Sequence, residues 1–239
     1  MRIMLALVTA VGLAGGGAMA VHATRSTAPI VSASVEEGAI VTPRRIIIGL
    51  DISKSNPLVD DPAFAAKVGA RIANIVRGLG FASEVHVRTF GSYDASSNNF
   101  YYDALISTRN RPEHAGDEIQ KLISGTPQLV RSGKWKSQTR TNILAFLDNI
   151  AHSIGCKNLS TTVILASDGI EDSEYVRLQK RGAMLPAPGD RPFRGCAEMQ
   201  ILGIGQGMNS PIATTRLRAE WTRWAMAAGF ARFIGLNDW

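Results

Sequence analysis

Short apolar runs recur along the chain and alternate with stretches of helical periodicity. Residues 46–50 and 161–166 are almost continuously apolar and rich in β-branched side chains, which predicts strands covered on both faces. Apolar residues recur every three or four positions in 61–79 and 141–154, which predicts amphipathic helices. The same criteria predict further strands at 84–90, 102–108, 199–204 and 231–236, and further helices at 112–124 and 212–228.

This alternation of strands and helices predicts the fold class. Strands separated by helices throughout indicate an α/β protein with a doubly wound, mainly parallel, six-stranded sheet and helices on both faces. In such sheets, ligands bind beside the carboxyl ends of the strands, where the strand order reverses. Chemistry-bearing residues that follow buried strands are therefore the ones to examine.

The first 43 residues have a different character from the rest of the chain. Residues 1–23 begin with Arg2, continue through an uncharged apolar run and end in small residues, which predicts a secretory signal cleaved after Ala20 or Ala23. The alternative is an uncleaved membrane anchor. Residues 24–43 predict a linker and 44–239 the folded domain, so we expect an exported protein, periplasmic or secreted.

Composition narrows the function classes. The 239 residues are 45% hydrophobic and 19% charged, which is typical of a globular domain and excludes collagen-like and disordered chains. A net charge of +6 favours acidic partners. Nucleic acid is the less favoured of these because the chain carries an export signal, and the membrane would be a partner only through an uncleaved anchor.

Oxygen-bearing side chains follow two of the buried strands. Asp51, Ser53 and Ser55 form an Asp-x-Ser-x-Ser motif after the first, Asp168 precedes a glycine after another, and Thr141 stands at the start of a helix between them. A set of carboxylates and hydroxyls without thiolate or imidazole suits a hard cation, with Mg²⁺ first and Mn²⁺ or Ca²⁺ as alternatives. We therefore predict a metal site at these five residues.

At these residues the chain resembles the von Willebrand factor type A family, and in particular its metal-ion-dependent adhesion site. The resemblance covers nearly all of 44–239, because the order of strands and helices also fits. It implies that the hydroxyls of Ser53, Ser55 and Thr141 bind the metal directly, and that Asp51 and Asp168 bind it directly or through water. It further implies that a carboxylate of a partner protein fills the open coordination position.

Alternatives to this adhesion hypothesis remain at the sequence level. Thr139 competes with Thr141 for the same role, and the aspartates could simply cap helices and turns. A metal-dependent phosphoesterase would use Asp51 or Asp168 to activate water. The chain shows no nucleophile with an adjacent base, so we expect a binding module and not an enzyme.

Two further features bear on the domain. In the strand order that the resemblance implies, Cys156 and Cys196 precede neighbouring strands, at the sheet edge away from the metal. Because exported proteins meet oxidising conditions, we predict a disulfide between them, with two free thiols as the alternative. Basic residues precede Thr141 without an intervening acid, and they are Arg131, Lys134, Lys136 and Arg140.

Overall fold

A six-stranded sheet forms the centre of the fold in the computed structural model, which describes residues 41–92 and 100–239. The strand order is β3-β2-β1-β4-β5-β6, and every neighbouring pair is parallel except β2 and β3. The predicted mainly parallel, six-stranded α/β fold is confirmed. The strands are β1 (Arg44–Asp51), β2 (Glu84–Phe90), β3 (Tyr101–Leu105), β4 (Ser160–Ala166), β5 (Glu198–Leu202) and β6 (Phe233–Leu236).

Helices connect the strands, and most begin at a residue that caps them. Asp61 caps α1 by accepting hydrogen bonds from the backbone N–H groups of Ala63 and Phe64. A 3₁₀ turn at Pro57–Val59 precedes α1. The helices are α1 (Pro62–Arg77), α2 (Pro112–Ser124), α3 (Thr126–Arg131), α4 (Ile143–Ser153) and α5 (Pro211–Ala228).

The observed boundaries differ from the predicted ones in a few places. The predicted strand 102–108 is the antiparallel strand β3, which ends at Leu105. The predicted helix at 141–154 begins at Ile143, because Asn142 is its N-cap and Thr141 belongs to the preceding loop. Helix α3 was not predicted, since six residues are too few to show helical periodicity.

The core has one apolar layer on each face of the sheet. Ile46, Ile48 and Leu50 of β1 pack with α1 and α2 on one face, whereas Ile47 packs with α4 and α5 on the other. All four isoleucine and leucine side chains are buried. Burial on both faces explains why β1 is continuously apolar instead of alternating.

Gly49 allows helix α4 to pack closely on β1. A Cβ atom at this position would lie 2.7 Å from the Phe146 ring of α4. A larger residue would therefore push α4 away from the strand whose carboxyl end carries Asp51.

The strand order reverses between β1 and β4. The chain runs outward from β1 to β2 and β3, and then returns to the other side of β1 with β4. Where the chain leads away from two neighbouring parallel strands toward opposite sides of the sheet, a crevice remains at the carboxyl ends of those strands. Asp51 ends β1, and Ser167 and Asp168 follow β4 directly, so the predicted chemistry lies at this crevice.

The Cys156–Cys196 disulfide is present, as predicted. It joins the loop before β4 to the loop before β5 across a Cα–Cα distance of 5.1 Å. It therefore closes the amino-terminal edge of the sheet, opposite the edge that carries Asp51 and Asp168.

The predicted signal, 1–23, lies outside the described residues, and so does the predicted linker up to residue 40. The described part of the chain belongs to one unit, Ile40–Trp239. Among the helices of that part, none combines the length and the apolar character needed to cross a membrane.

Candidate functional site

Asp51 occupies the centre of the candidate site. Its side chain is fully buried, and both carboxylate oxygens accept hydrogen bonds. Oδ1 accepts from the backbone N–H of Ser53 at 2.9 Å, and Oδ2 accepts from the Ser167 hydroxyl at 2.7 Å. The carboxylate is thus held between the ends of β1 and β4. The sequence placed Ser167 beside Asp168 but did not indicate this bond to Asp51.

The two serine hydroxyls of the Asp-x-Ser-x-Ser motif lie together. Their oxygens are 3.4 Å apart, with Ser53 buried and Ser55 exposed. Ser53 therefore contacts both Asp51 and Ser55, and the Ser55 side chain is open to solvent.

Asn56 fixes the loop that carries these serines. Its side-chain N–H₂ group donates to the carbonyl oxygen of Asp51 at 2.7 Å and to that of Ala166 at 3.1 Å. One fully buried amide therefore joins the carboxyl ends of β1 and β4. No role for Asn56 was predictable from the sequence, because the contact joins positions 110 residues apart.

Backbone hydrogen bonds bring Thr141 to the same edge. The N–H of Lys54 donates to the carbonyl of Gln138 at 2.8 Å, which sets the segment before Thr141 alongside the serine loop. On the other side, the N–H of Asp172 donates to the carbonyl of Thr141 at 2.9 Å. Thr141 is 2% exposed, whereas Thr139 is exposed, so only Thr141 is enclosed at the site.

Asp168 is the second buried carboxylate. Its Oδ1 accepts from the backbone N–H of Ile170 at 2.8 Å. Burial, together with the negative charge of Asp51, raises the pKa of Asp168 to about 8. Burial also raises the pKa of Asp51 to about 6, against the lowering effect of its hydrogen bonds to Ser53 and Ser167.

Among the residues that the structure describes, no positive side chain compensates this pair of aspartates. In the described ranges, neither Asp51 nor Asp168 forms an ion pair with lysine, arginine or histidine. Two adjacent carboxylates in a buried crevice repel each other and lack solvation. Binding of a proton or a cation relieves this repulsion, so the pair of aspartates favours either one.

Glu171 is a third buried acid, and the sequence did not single it out. Its Oε2 accepts from the backbone N–H groups of Ile143 at 2.7 Å and Leu144 at 3.2 Å, at the start of α4. Burial raises its pKa to about 7. Glu171 ties the loop after β4 to the helix that follows Thr141. The only sequence signal for Glu171 was its position, three residues after Asp168.

The donor set of the site is poor in side chains that bind soft metals. Between 41 and 92 and between 100 and 239, no three His, Cys, Asp or Glu side chains converge as a metal-binding group. Cation binding at this edge would therefore depend on hydroxyl oxygens beside the two aspartates. Oxygen-only donors of this kind suit Mg²⁺, Mn²⁺ or Ca²⁺.

Comparison with known proteins gives distant structural similarity only. No protein-family model and no curated protein matches the chain. An aerotolerance-related membrane protein from Bacteroides fragilis NCTC 9343, crystallised with multiple mutations to serines, aligns at 14% identity and a TM-score of 0.44. That alignment covers 82% of this chain and 92% of the other.

Two further solved structures align comparably. The conserved hypothetical protein BatB from Bacteroides thetaiotaomicron has 14% identity and a TM-score of 0.46, over 82% of this chain and 91% of that one. The pilus adhesin SpaC from Lactobacillus rhamnosus GG has 14% identity and a TM-score of 0.47, over 83% of this chain but 28% of the adhesin. Similarities this distant assign neither a family nor a function.

Proposed function

We propose that this chain is an exported protein-binding module that captures a partner carboxylate through a divalent cation, Mg²⁺ first among the candidates. The resemblance of Asp51, Ser53, Ser55, Thr141 and Asp168 to the metal-ion-dependent adhesion site of von Willebrand factor type A domains suggested this function. The observation that supports it most strongly is the uncompensated pair of buried aspartates beside clustered hydroxyls.

The residues present fit a hard cation. Asp51 and Asp168 supply the negative charge that balances a divalent ion, and Ser53, Ser55 and Thr141 supply neutral oxygens. The Thr141 side chain has no hydrogen-bond partner in the part of the chain that the structure describes, so its hydroxyl is available as a ligand. When bound, the cation supplies an electrophilic position that an outside carboxylate can occupy.

Neighbouring residues hold the proposed ligands in place. Ser167 orients Asp51, and Asn56 fixes the loop of Ser53 and Ser55. Glu171 anchors the start of α4, immediately after Thr141. Their hydrogen bonds are made before any ligand arrives, so little conformational entropy is lost on binding.

Binding of a peptide with a single carboxylate tests this function. We expect the full chain to bind the capped peptide Gly-Gly-Asp-Gly-Gly in Mg²⁺, and to bind it at least about tenfold more weakly in EDTA. The matched peptide with Asn in place of Asp should show no dependence on Mg²⁺. Thr141→Ala should abolish the dependence for the Asp peptide, whereas Thr139→Ala should preserve it.

Two results would count against the adhesion function. Binding that is equal in Mg²⁺ and EDTA, or equal for the Asp and Asn peptides, would contradict capture through a cation. Turnover of p-nitrophenyl phosphate that requires Mg²⁺ and is lost in Asp51→Ala would favour the phosphoesterase instead.

A further inference from the structure

Basic side chains alternate with the hydroxyls of the candidate site. Lys54 lies between Ser53 and Ser55 in the chain, and Arg140 directly precedes Thr141. Both basic side chains are exposed, whereas Ser53 and Thr141 are buried. The positive charges therefore lie on the solvent side of the two segments that carry these hydroxyls.

Backbone pairing brings the two basic segments together. The N–H of Gln138 donates to the carbonyl of Ile52 at 2.9 Å, and the N–H of Lys54 donates to the carbonyl of Gln138 at 2.8 Å. Residues 52–54 and 138 thus run side by side, and Lys134 and Lys136 belong to the exposed segment that leads into this pairing. We define Lys54, Lys134, Lys136 and Arg140 as the basic rim.

All four side chains of the basic rim are exposed to solvent. Within 41–92 and 100–239, no carboxylate pairs with any of its four side chains. Some basic residues elsewhere do pair with carboxylates, as in Arg45–Glu84, Arg88–Asp103 and Arg223–Glu220. The carboxylates of the described residues therefore leave the rim charges available to a partner.

Charge balance makes the rim the main source of attraction at a distance. A divalent ion held by two ionised aspartates has no formal net charge, so it acts on a partner only at contact range. Four exposed positive charges act over about a Debye length, roughly 8 Å at physiological ionic strength. The rim would thus gather acidic chains toward the opening of the site.

The acidic groups at the opening lie on a different loop. Glu174 is exposed and accepts from the Asn142 side chain at 3.2 Å, and Asp172 pairs with Arg177. An acidic partner would be repelled on the Glu174 side and attracted on the rim side. This asymmetry gives the partner chain a direction across the site.

We infer that the partner is an acidic protein segment, with one carboxylate at the metal position and further Asp or Glu side chains against the basic rim. The inference rests on the proposed function and narrows its partner class. A rim carrying four exposed positive charges would be poorly matched to a single isolated carboxylate.

Charge reversal at the rim tests the inference with two probes. The probes are the capped peptides Gly-Gly-Asp-Gly-Gly and penta-aspartate, measured against the full chain in Mg²⁺ at low and physiological salt. We expect the penta-aspartate to bind at least about tenfold more tightly, and added salt to reduce that advantage. Lys134→Glu combined with Lys136→Glu should remove most of the advantage and change single-carboxylate binding by less than about twofold.

The control variant carries the same change in net charge at the opposite edge of the sheet. Lys157→Glu combined with Arg194→Glu alters two exposed residues next to the disulfide cysteines, and it should leave both affinities unchanged. An equal loss in both variants, or no loss in the rim variant, would overturn the inference while the proposed function stands. If neither peptide binds in an Mg²⁺-dependent way, the proposed function is overturned, and the inference with it.

Discussion

At the scale of single residues, the candidate site depends on two carboxylates that are buried away from bulk solvent. Asp51 is fully buried and Asp168 nearly so, and each is held by short hydrogen bonds. Burial raises the pKa of both side chains, so the folded chain alone disfavours their ionised forms relative to exposed aspartate. Burying these carboxylates in their ionised form therefore costs electrostatic free energy, which a bound cation would offset.

This electrostatic cost predicts how the free energy of unfolding depends on pH. In EDTA, the folded pKa values of about 6 for Asp51 and about 8 for Asp168 exceed that of exposed aspartate, so the folded chain binds more protons between about pH 4 and pH 8. The free energy of unfolding should accordingly fall as the pH rises through this window. Urea unfolding of the wild type and of Asp168→Asn, compared at each pH, isolates the contribution of Asp168 to this pH dependence, because the variant lacks the Asp168 charge.

Between pH 8 and pH 5, the free energy of unfolding of the wild type should rise by at least about 1 kcal/mol relative to that of Asp168→Asn. Excess Mg²⁺ should remove the decline in the wild type, since the cation binds the folded, ionised form. A difference that is constant with pH would contradict this electrostatic account.

At the scale of secondary-structure elements, the two edges of the sheet have separate roles. The carboxyl ends of β1 and β4 carry the candidate site, whereas the Cys156–Cys196 disulfide closes the opposite edge. Buried strands and a packed core lie between the edges. Substitutions at the disulfide edge should therefore change stability with little effect on metal binding.

Removal of the disulfide tests this separation. Cys156→Ser combined with Cys196→Ser opens a loop of 40 residues and should lower the free energy of unfolding by about 2–4 kcal/mol. Mg²⁺ affinity should change by less than about twofold, because the bond is remote from the site. Urea unfolding and metal titration of the same preparation measure both, and a large loss of Mg²⁺ affinity in a folded variant would show that the edges are coupled.

Elements with a strong local pattern were predictable from the sequence. Strand β1 and helix α2 follow from runs and periodicities that the residues themselves display, and the motif residues follow from their place after buried strands. The contacts of Asn56 and Glu171 were not predictable, since each joins segments distant in sequence. Helix α3 was missed because it is too short for its pattern to appear.

At the scale of the whole molecule, the fold explains why the site lies where it does. The strand order reverses between β1 and β4, and both strands end in an aspartate or a Ser-Asp pair at that crevice. The exposed basic rim adds positive charge beside a buried site whose own ionisable side chains are acidic. A module of this design would bind acidic segments from one side and only when a divalent cation is present.

Calorimetric titration of Mg²⁺ into the full chain tests the central claim most directly. We expect one binding site per chain, weakened at least about tenfold in the Ser53→Ala, Ser55→Ala double variant and undisturbed in the control variant Lys157→Glu, Arg194→Glu. A wild-type chain that binds no Mg²⁺, or a serine variant that binds it as tightly as the wild type, would contradict the account.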